Sequence, residues 1–232
     1  MKKTGDQLDI IVKILILIGM FLLVLLVPTI LQIGGAFPNV SWAIYAAAVL
    51  FIVVYIGIAY LGWWILKPNL TRPQFTKFTS EEINTVFKTY GLILILNMVF
   101  NIVMKMVFHS DATENQNNIN ALLSSNTVTL IVFGFAGAFI APFVEEFIFR
   151  GIIISYFFKH RAWWLSIILS GVIFSLGHAS SNPISFALYA TMGMILAYTF
   201  KKSGQIKMSI AVHMLNNTVA MILTIVGLLL TK

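Results

Sequence analysis

The sequence predicts an all-α fold, a polytopic membrane helix bundle of about seven transmembrane helices. Three observations predict it. Of 232 residues, 59% are hydrophobic and 10% charged, where soluble domains carry roughly 25% charged residues. The apolar runs are continuous and lack the alternation of barrel strands, and a backbone in lipid is satisfied only by helices or closed barrels. Lys and Arg also gather in every second connection, which is the distribution that sets membrane topology.

Seven stretches meet the requirement of about 20 helical residues for a hydrocarbon core of ~30 Å, or approach it. They are 12–33, 41–66, 87–108, 127–158, 163–178, 184–200 and 208–230. The first resembles a signal peptide, but its apolar run exceeds an h-region of roughly 7–15 residues and no clean small-residue cleavage site follows. It is expected to be a retained span. The fourth is too long for one straight crossing, and Pro142 is expected to kink or divide it. The fifth and sixth are short, as spans inside a packed bundle can be. Residues 1–126 make a three-span segment and 127–232 a four-span core, together one integrated membrane domain.

Charge orients these spans. Lys2, Lys3 and Lys13 precede or begin the first, and Lys67, Arg72, Lys77 and Lys88 surround the second connection. Lys159 and Arg161 lie before the fifth span, and Lys201, Lys202 and Lys207 before the seventh. Loops 34–40, 109–126 and 179–183 hold neither Lys nor Arg. The expected topology is N-terminus cytoplasmic and C-terminus extracytoplasmic, in an integral protein of a bacterial cell membrane surrounded by lipid. Trp63, Trp64, Trp163 and Trp164 fall at the cytoplasmic edge. The net charge of +7 is accounted for by topology, so no nucleic-acid partner is expected. The absence of cysteine excludes disulfides and thiolate chemistry.

Few ionisable residues then remain within spans, where each costs about 2.5–3.5 kcal/mol. Glu146 and Arg150 stand four apart on one helical face and can pair. Glu145 is turned by about 100° from Glu146 and has no local partner. Phe174 and His178 are four apart, as are His213 and Asn217. The fourth and fifth spans form a hairpin with its turn near residues 159–162, and Glu145 and His178 lie about 14 and 16 residues from that turn, so they are level. His213 is only about six residues past Lys207, roughly 9 Å deep, which does not match unless a tilt, a kink or a re-entrant 201–207 segment closes the gap. Asn97 and Asn101 read as interhelical glue, and Lys105 as a residue reaching for the interface. Gly134, Gly137, Gly171 and Ser175 read as close-approach positions, and His109 and His160 as loop residues.

A carboxylate, two imidazoles and an amide in a dry pocket suit hydrolysis of an amide by water. Glu145 would be the general base, with His178 holding the water and His213 and Asn217 donating to the oxyanion. The same chemistry could use zinc held by Glu145, His178 and His213. Spacing does not separate the two. Neither G-x-S-x-G nor H-E-x-x-H occurs.

The three patterns E-E-x-x-x-R (Glu145–Arg150), F-x-x-x-H (Phe174–His178) and H-x-x-x-N (His213–Asn217), in this order, resemble those of the CPBP family. These are the CAAX prenyl endopeptidases and bacteriocin-processing proteins, also called Abi. The resemblance covers about residues 127–225. It implies an intramembrane endopeptidase with Glu145, His178, His213 and Asn217 as catalytic residues, and Glu146, Arg150 and Phe174 supporting them. It also implies either a metalloprotease or, as favoured here, a metal-free glutamate mechanism, and a peptide or membrane-protein substrate, with a place in peptide maturation or bacteriocin self-immunity. Two alternatives come from other classes: a non-catalytic immunity protein, and a proton-coupled transporter, since buried Glu, His and Arg also build proton relays.

Overall fold

The computed structural model describes residues 2–37, 39–158 and 162–230, with the side chains of residues 2–9 and Ser41 left aside. The regular structure among them is helical. The helices are α1 (Lys2–Gly35), α2 (Ser41–Leu66), α3 (Ser80–Phe108), α4 (Glu114–Ser125), α5 (Thr127–Phe157), α6 (Trp163–Leu176), α7 (Pro183–Ser203) and α8 (Ile206–Leu230). Six are long and apolar enough to cross a membrane, and α6 is a shorter apolar helix. The bundle of about seven is therefore as the sequence predicts. Lys159, His160 and Arg161 lie outside the described residues.

The helix boundaries follow local chemistry. The Thr79 hydroxyl accepts from Glu82 N and the Glu82 carboxylate accepts from Thr79 N, closing a capping box that starts α3. Asn182 and Ser185 do the same for α7, with Pro183 at its first position. The α7 stop is Gly204, at φ +67, where a side chain would be strained and would also press on the Arg72 guanidinium.

α5 is the centre of the bundle. Every residue from Glu146 to Ser155 is buried, as expected of a helix that is apolar all round. Gly151 admits Leu66 of α2, because a Cβ there would lie 2.6 Å from Leu66 Cδ2. Gly171 lets α6 and α7 touch, since a Cβ there would lie 2.6 Å from the Ala190 carbonyl and 2.9 Å from Met194 N. The outward faces of α1–α3 and α8 carry exposed Leu, Ile and Val. On α2, exposed Trp42 and Trp64 are separated by about 33 Å of helix, close to the hydrocarbon thickness.

Several boundaries differ from the sequence reading. α3 starts at Ser80, not 87, because its first turns are polar but well capped. The 109–126 loop holds α4, a polar helix that no apolar run announces; Thr113 caps it through Gln116 N. The fourth span is one helix and is not divided at Pro142. α6 stops at Leu176, so His178 sits in the coil beyond the helix and not at its end.

The connections sort to two ends of the bundle. At one end Arg72 donates to Ser203 O, and Gln74 donates to Gly204 O and accepts from Ile206 N. At the other, Asn115 N donates to Ala179 O, and Thr113 and Tyr189 share a hydrogen bond. The second end is where the site opens.

Candidate functional site

The site is built on an irregularity of α5. Residues Ala136–Ile140 and Phe147–Phe157 are π-helical, and the α-helical turn Ala141–Glu146 lies between them. Ala141 N donates to Ala136 O, five residues back. In that register the next donor would serve Gly137 O, but the next residue is Pro142, which has no N–H. The orphaned carbonyl is taken by the Asn217 side chain, whose Nδ2 donates to Gly137 O at 3.1 Å. Pro142 thus anchors α8 to α5 by leaving a carbonyl free. π-bulges of this kind recur at functional sites.

One turn on, Glu146 and Arg150 are both fully buried, with Nη1 3.0 Å from Oε1. The same Oε1 accepts from His213 Nδ1 at 2.8 Å. Arg150 Nη2 donates to Gly193 O on α7, and its guanidinium lies 4.8 Å above the Phe174 ring. Phe174, wholly buried, also meets His178 (ring centroids 4.4 Å apart) and His213 (5.6 Å). It is the hub that holds both imidazoles and the cation in register.

Glu145 is left over. Its Oε2 is buried, makes no hydrogen bond among the described residues, and lies 3.7 Å from His213 Nε2. Glu145 lines a cavity of about 770 Å³ together with His178, Asn217 and Tyr55. His178 is clamped between Phe174 and Tyr189, with its ring stacked on Tyr189 at 4.5 Å. Its Nδ1 is 2.8 Å from Phe174 O. A carbonyl only accepts, so Nδ1 carries the proton and Nε2 keeps a lone pair.

All four expected catalytic residues are therefore near one another, though two are committed differently from the expectation. His213 does not line the cavity; Nδ1 donates to Glu146, and only Nε2 is turned to Glu145. One Asn217 N–H is spent on Gly137 O. The depth mismatch of His213 does not keep it from Glu145, whose Oε2 lies 3.7 Å from Nε2. Lys207 is buried, with its ammonium 2.8 Å from Glu82 and from the Thr76 hydroxyl. Among the described residues no three His, Cys, Asp or Glu side chains are grouped to hold a metal ion.

The sequence reading missed the cavity's amide wall. Asn97, read as glue, does bridge α3 to α8 by donating to Asn216 Oδ1 at 3.4 Å, yet Asn97 and Asn101 also line the cavity. Asn216 in turn donates to Asn217 Oδ1 at 3.3 Å. The signal was the Asn216–Asn217 pair and the four-residue spacing of Asn97 and Asn101. Lys105 pairs with Asp111 at 2.7 Å.

Residues 127–219 match the family described as type II CAAX prenyl endopeptidase Rce1-like. The stretch contains every α5–α8 residue named above. The chain is 23% identical over 181 residues to the membrane-embedded CAAX protease MroQ of Staphylococcus aureus (strain USA300), covering 75% of this chain and 71% of that protein. It is 28% identical over 111 residues to the candidate membrane peptidase YdiL of Bacillus subtilis (strain 168), covering 48% and 43%. No solved structure matches.

Proposed function

We propose, for a chain whose residues 127–219 match the type II CAAX prenyl endopeptidase Rce1-like family, that it is an intramembrane endopeptidase using Glu145 to activate water without a metal. The observation that carries this is the division of labour on α5. Glu146 is wholly buried, with one carboxylate oxygen held by Arg150 and His213, while the adjacent Glu145 has no cation bonded to it among the described residues, keeps 14% of its side chain accessible and lines the cavity.

A water between Glu145 and His178 would donate one hydrogen to the carboxylate and one to His178 Nε2. As its oxygen bonds to the substrate carbonyl carbon, Glu145 takes the proton. The carbonyl π-pair moves to oxygen, where the second Asn217 N–H can donate. His213 Nε2 can join it only as an imidazolium, which would face a carboxylate on either side. The C–N bond then breaks and Glu145 returns its proton to the leaving amine. In this reading Phe174, Arg150 and Glu146 hold the imidazoles.

The protein would lie with its N-terminus cytoplasmic and C-terminus extracytoplasmic, opening the cavity to the extracytoplasmic side. Charge alternation supports this orientation, and a bacterial role in peptide maturation or self-immunity rests on the family alone. The test is cleavage of a fluorogenic membrane peptide by purified protein. Glu145→Gln should lose turnover by about 10²–10⁴, and a chelator should leave wild-type activity intact. Wild-type turnover in Glu145→Gln would refute the mechanism. Cell protection that survives this variant would favour the non-catalytic immunity protein.

A further inference from the structure

The two walls of the cavity differ. One is aliphatic and aromatic, built by Phe21, Val24, Leu25 and Pro28 of α1 with Leu176 at the end of α6. Leu25 and Leu176 are also exposed outward, so this wall reaches the lipid face. The other is built of carboxamides from α3, α4 and α8: Asn97, Asn101, Asn115, Gln116, Asn118 and Asn216. So many amides at the edge of a membrane bundle are more than interhelical packing requires. Some are tied to neighbours: Asn101 to the Asn97 carbonyl, Asn97 to Asn216, Gln116 to Asn120 and Thr224, and Asn216 to Met192 and Asn217. Each carboxamide has two N–H donors and an oxygen with two lone pairs, so these bonds leave donors and acceptors on the same wall. Asn101 and Asn118 are exposed, and Asn97 and Asn216 half-buried.

Charge narrows what the wall can hold. No lysine or arginine lines the cavity among the described residues. Of the two acidic residues that do, Asp111 is paired with Lys105 and Glu145 sits at the reacting end. A free C-terminal carboxylate or a phosphate would find no cation there. A neutral ligand with donors and acceptors along one edge and apolar groups on the other would match both walls. That is an extended polypeptide backbone, whose side chains alternate from side to side.

We propose that the carboxamide wall is a main-chain-binding subsite that holds an internal, uncharged, extended segment of a polypeptide, with its apolar side chains against α1. This inference rests on the endopeptidase reading and names its substrate class. An extended segment so placed lies in the cavity that Asn217 and Glu145 also line.

The experiment uses the full chain carrying Glu145→Gln in lipid nanodiscs, so that binding is read without turnover. The probe is a fluorophore-labelled apolar octapeptide, acetylated and amidated, and the same peptide with one central amide replaced by an ester. The ester should bind about fivefold to tenfold more weakly, as for one lost hydrogen bond. Asn101→Leu and Asn118→Ala should weaken the amide peptide by a similar factor and shrink the ester penalty, with thermal unfolding unchanged. A free carboxylate end should give no gain. Equal binding of ester and amide, or tighter binding of the carboxylate form, would overturn the subsite. Ester-sensitive binding of a peptide that the wild type never cleaves would leave the subsite standing and sink the peptidase reading.

Discussion

Glu145 and Glu146 are neighbours in the chain and belong to different regions of the molecule. Glu146 is on the closed side of α5, where its charge is shared between Arg150 and His213 and no surface reaches solvent. Glu145 is on the open side, with 14% of its side chain accessible, and lines the cavity. The difference teaches how a membrane helix can keep a carboxylate open to a cavity. One acid is neutralised to hold the packing, and the turn of about 100° between adjacent residues presents the other to the cavity.

The comparison breaks most severely at the closed side. Arg150→Ala leaves a buried carboxylate without its cation, and a broken buried pair costs about 3–5 kcal/mol. The expected outcome is a large loss of folded yield and thermal stability in detergent. An unchanged melting temperature would remove the pair from the account.

Next in size is Gly171→Ala. Its new methyl group would meet main-chain atoms of α7 at 2.6 and 2.9 Å, and backbone cannot step aside as a side chain can. Overpacking of this kind costs about 1–3 kcal/mol. Since α6 carries Phe174 and leads to His178, cleavage should fall along with stability, read by thermal unfolding and a turnover assay.

Asn217→Ala sharpens the comparison because Asn217 serves both regions. It satisfies the carbonyl that Pro142 orphans, and it faces the cavity. Leaving Gly137 O unpaired should cost about 1–3 kcal/mol, while loss of the oxyanion donor should slow turnover by about 10²–10³. A stability loss with unchanged turnover would assign the residue to packing alone. The smallest effect is expected from Tyr189→Phe, which loses one hydrogen bond to Thr113, about 0.5–1.5 kcal/mol. The stack on His178 is kept, so turnover should stay close to wild type.

Much of this division was legible before any coordinates. The i, i+4 spacing of Glu146 and Arg150 predicts their pairing, and the leftover Glu145 follows by subtraction. The roles of His213 and Asn217 were less legible. A helical count places His213 shallower than Glu145, yet the two meet, because a count at α-helical rise crosses Phe147–Phe157, which is π-helical. The Asn217 bond to Gly137 depends on a π register that 3.6-residue periodicity does not express. α4 was missed because its face is polar, held through its own cap Thr113 by Tyr189 and through Gln116 by Thr224, both from distant parts of the chain. The carboxamide wall draws on three helices, and only their packing brings Asn97 beside Asn216.

The central claim is that adjacent glutamates hold separate functions, and the direct measurement is a paired one. Glu145→Gln and Glu146→Gln, purified side by side, are each assayed for thermal unfolding and for cleavage of the same peptide. The account predicts that Glu145→Gln unfolds like wild type and loses turnover by about 10²–10⁴, while Glu146→Gln unfolds at distinctly lower temperature. If Glu145→Gln cleaves at the wild-type rate, or if the two variants lose stability equally, the division of labour on α5 is wrong.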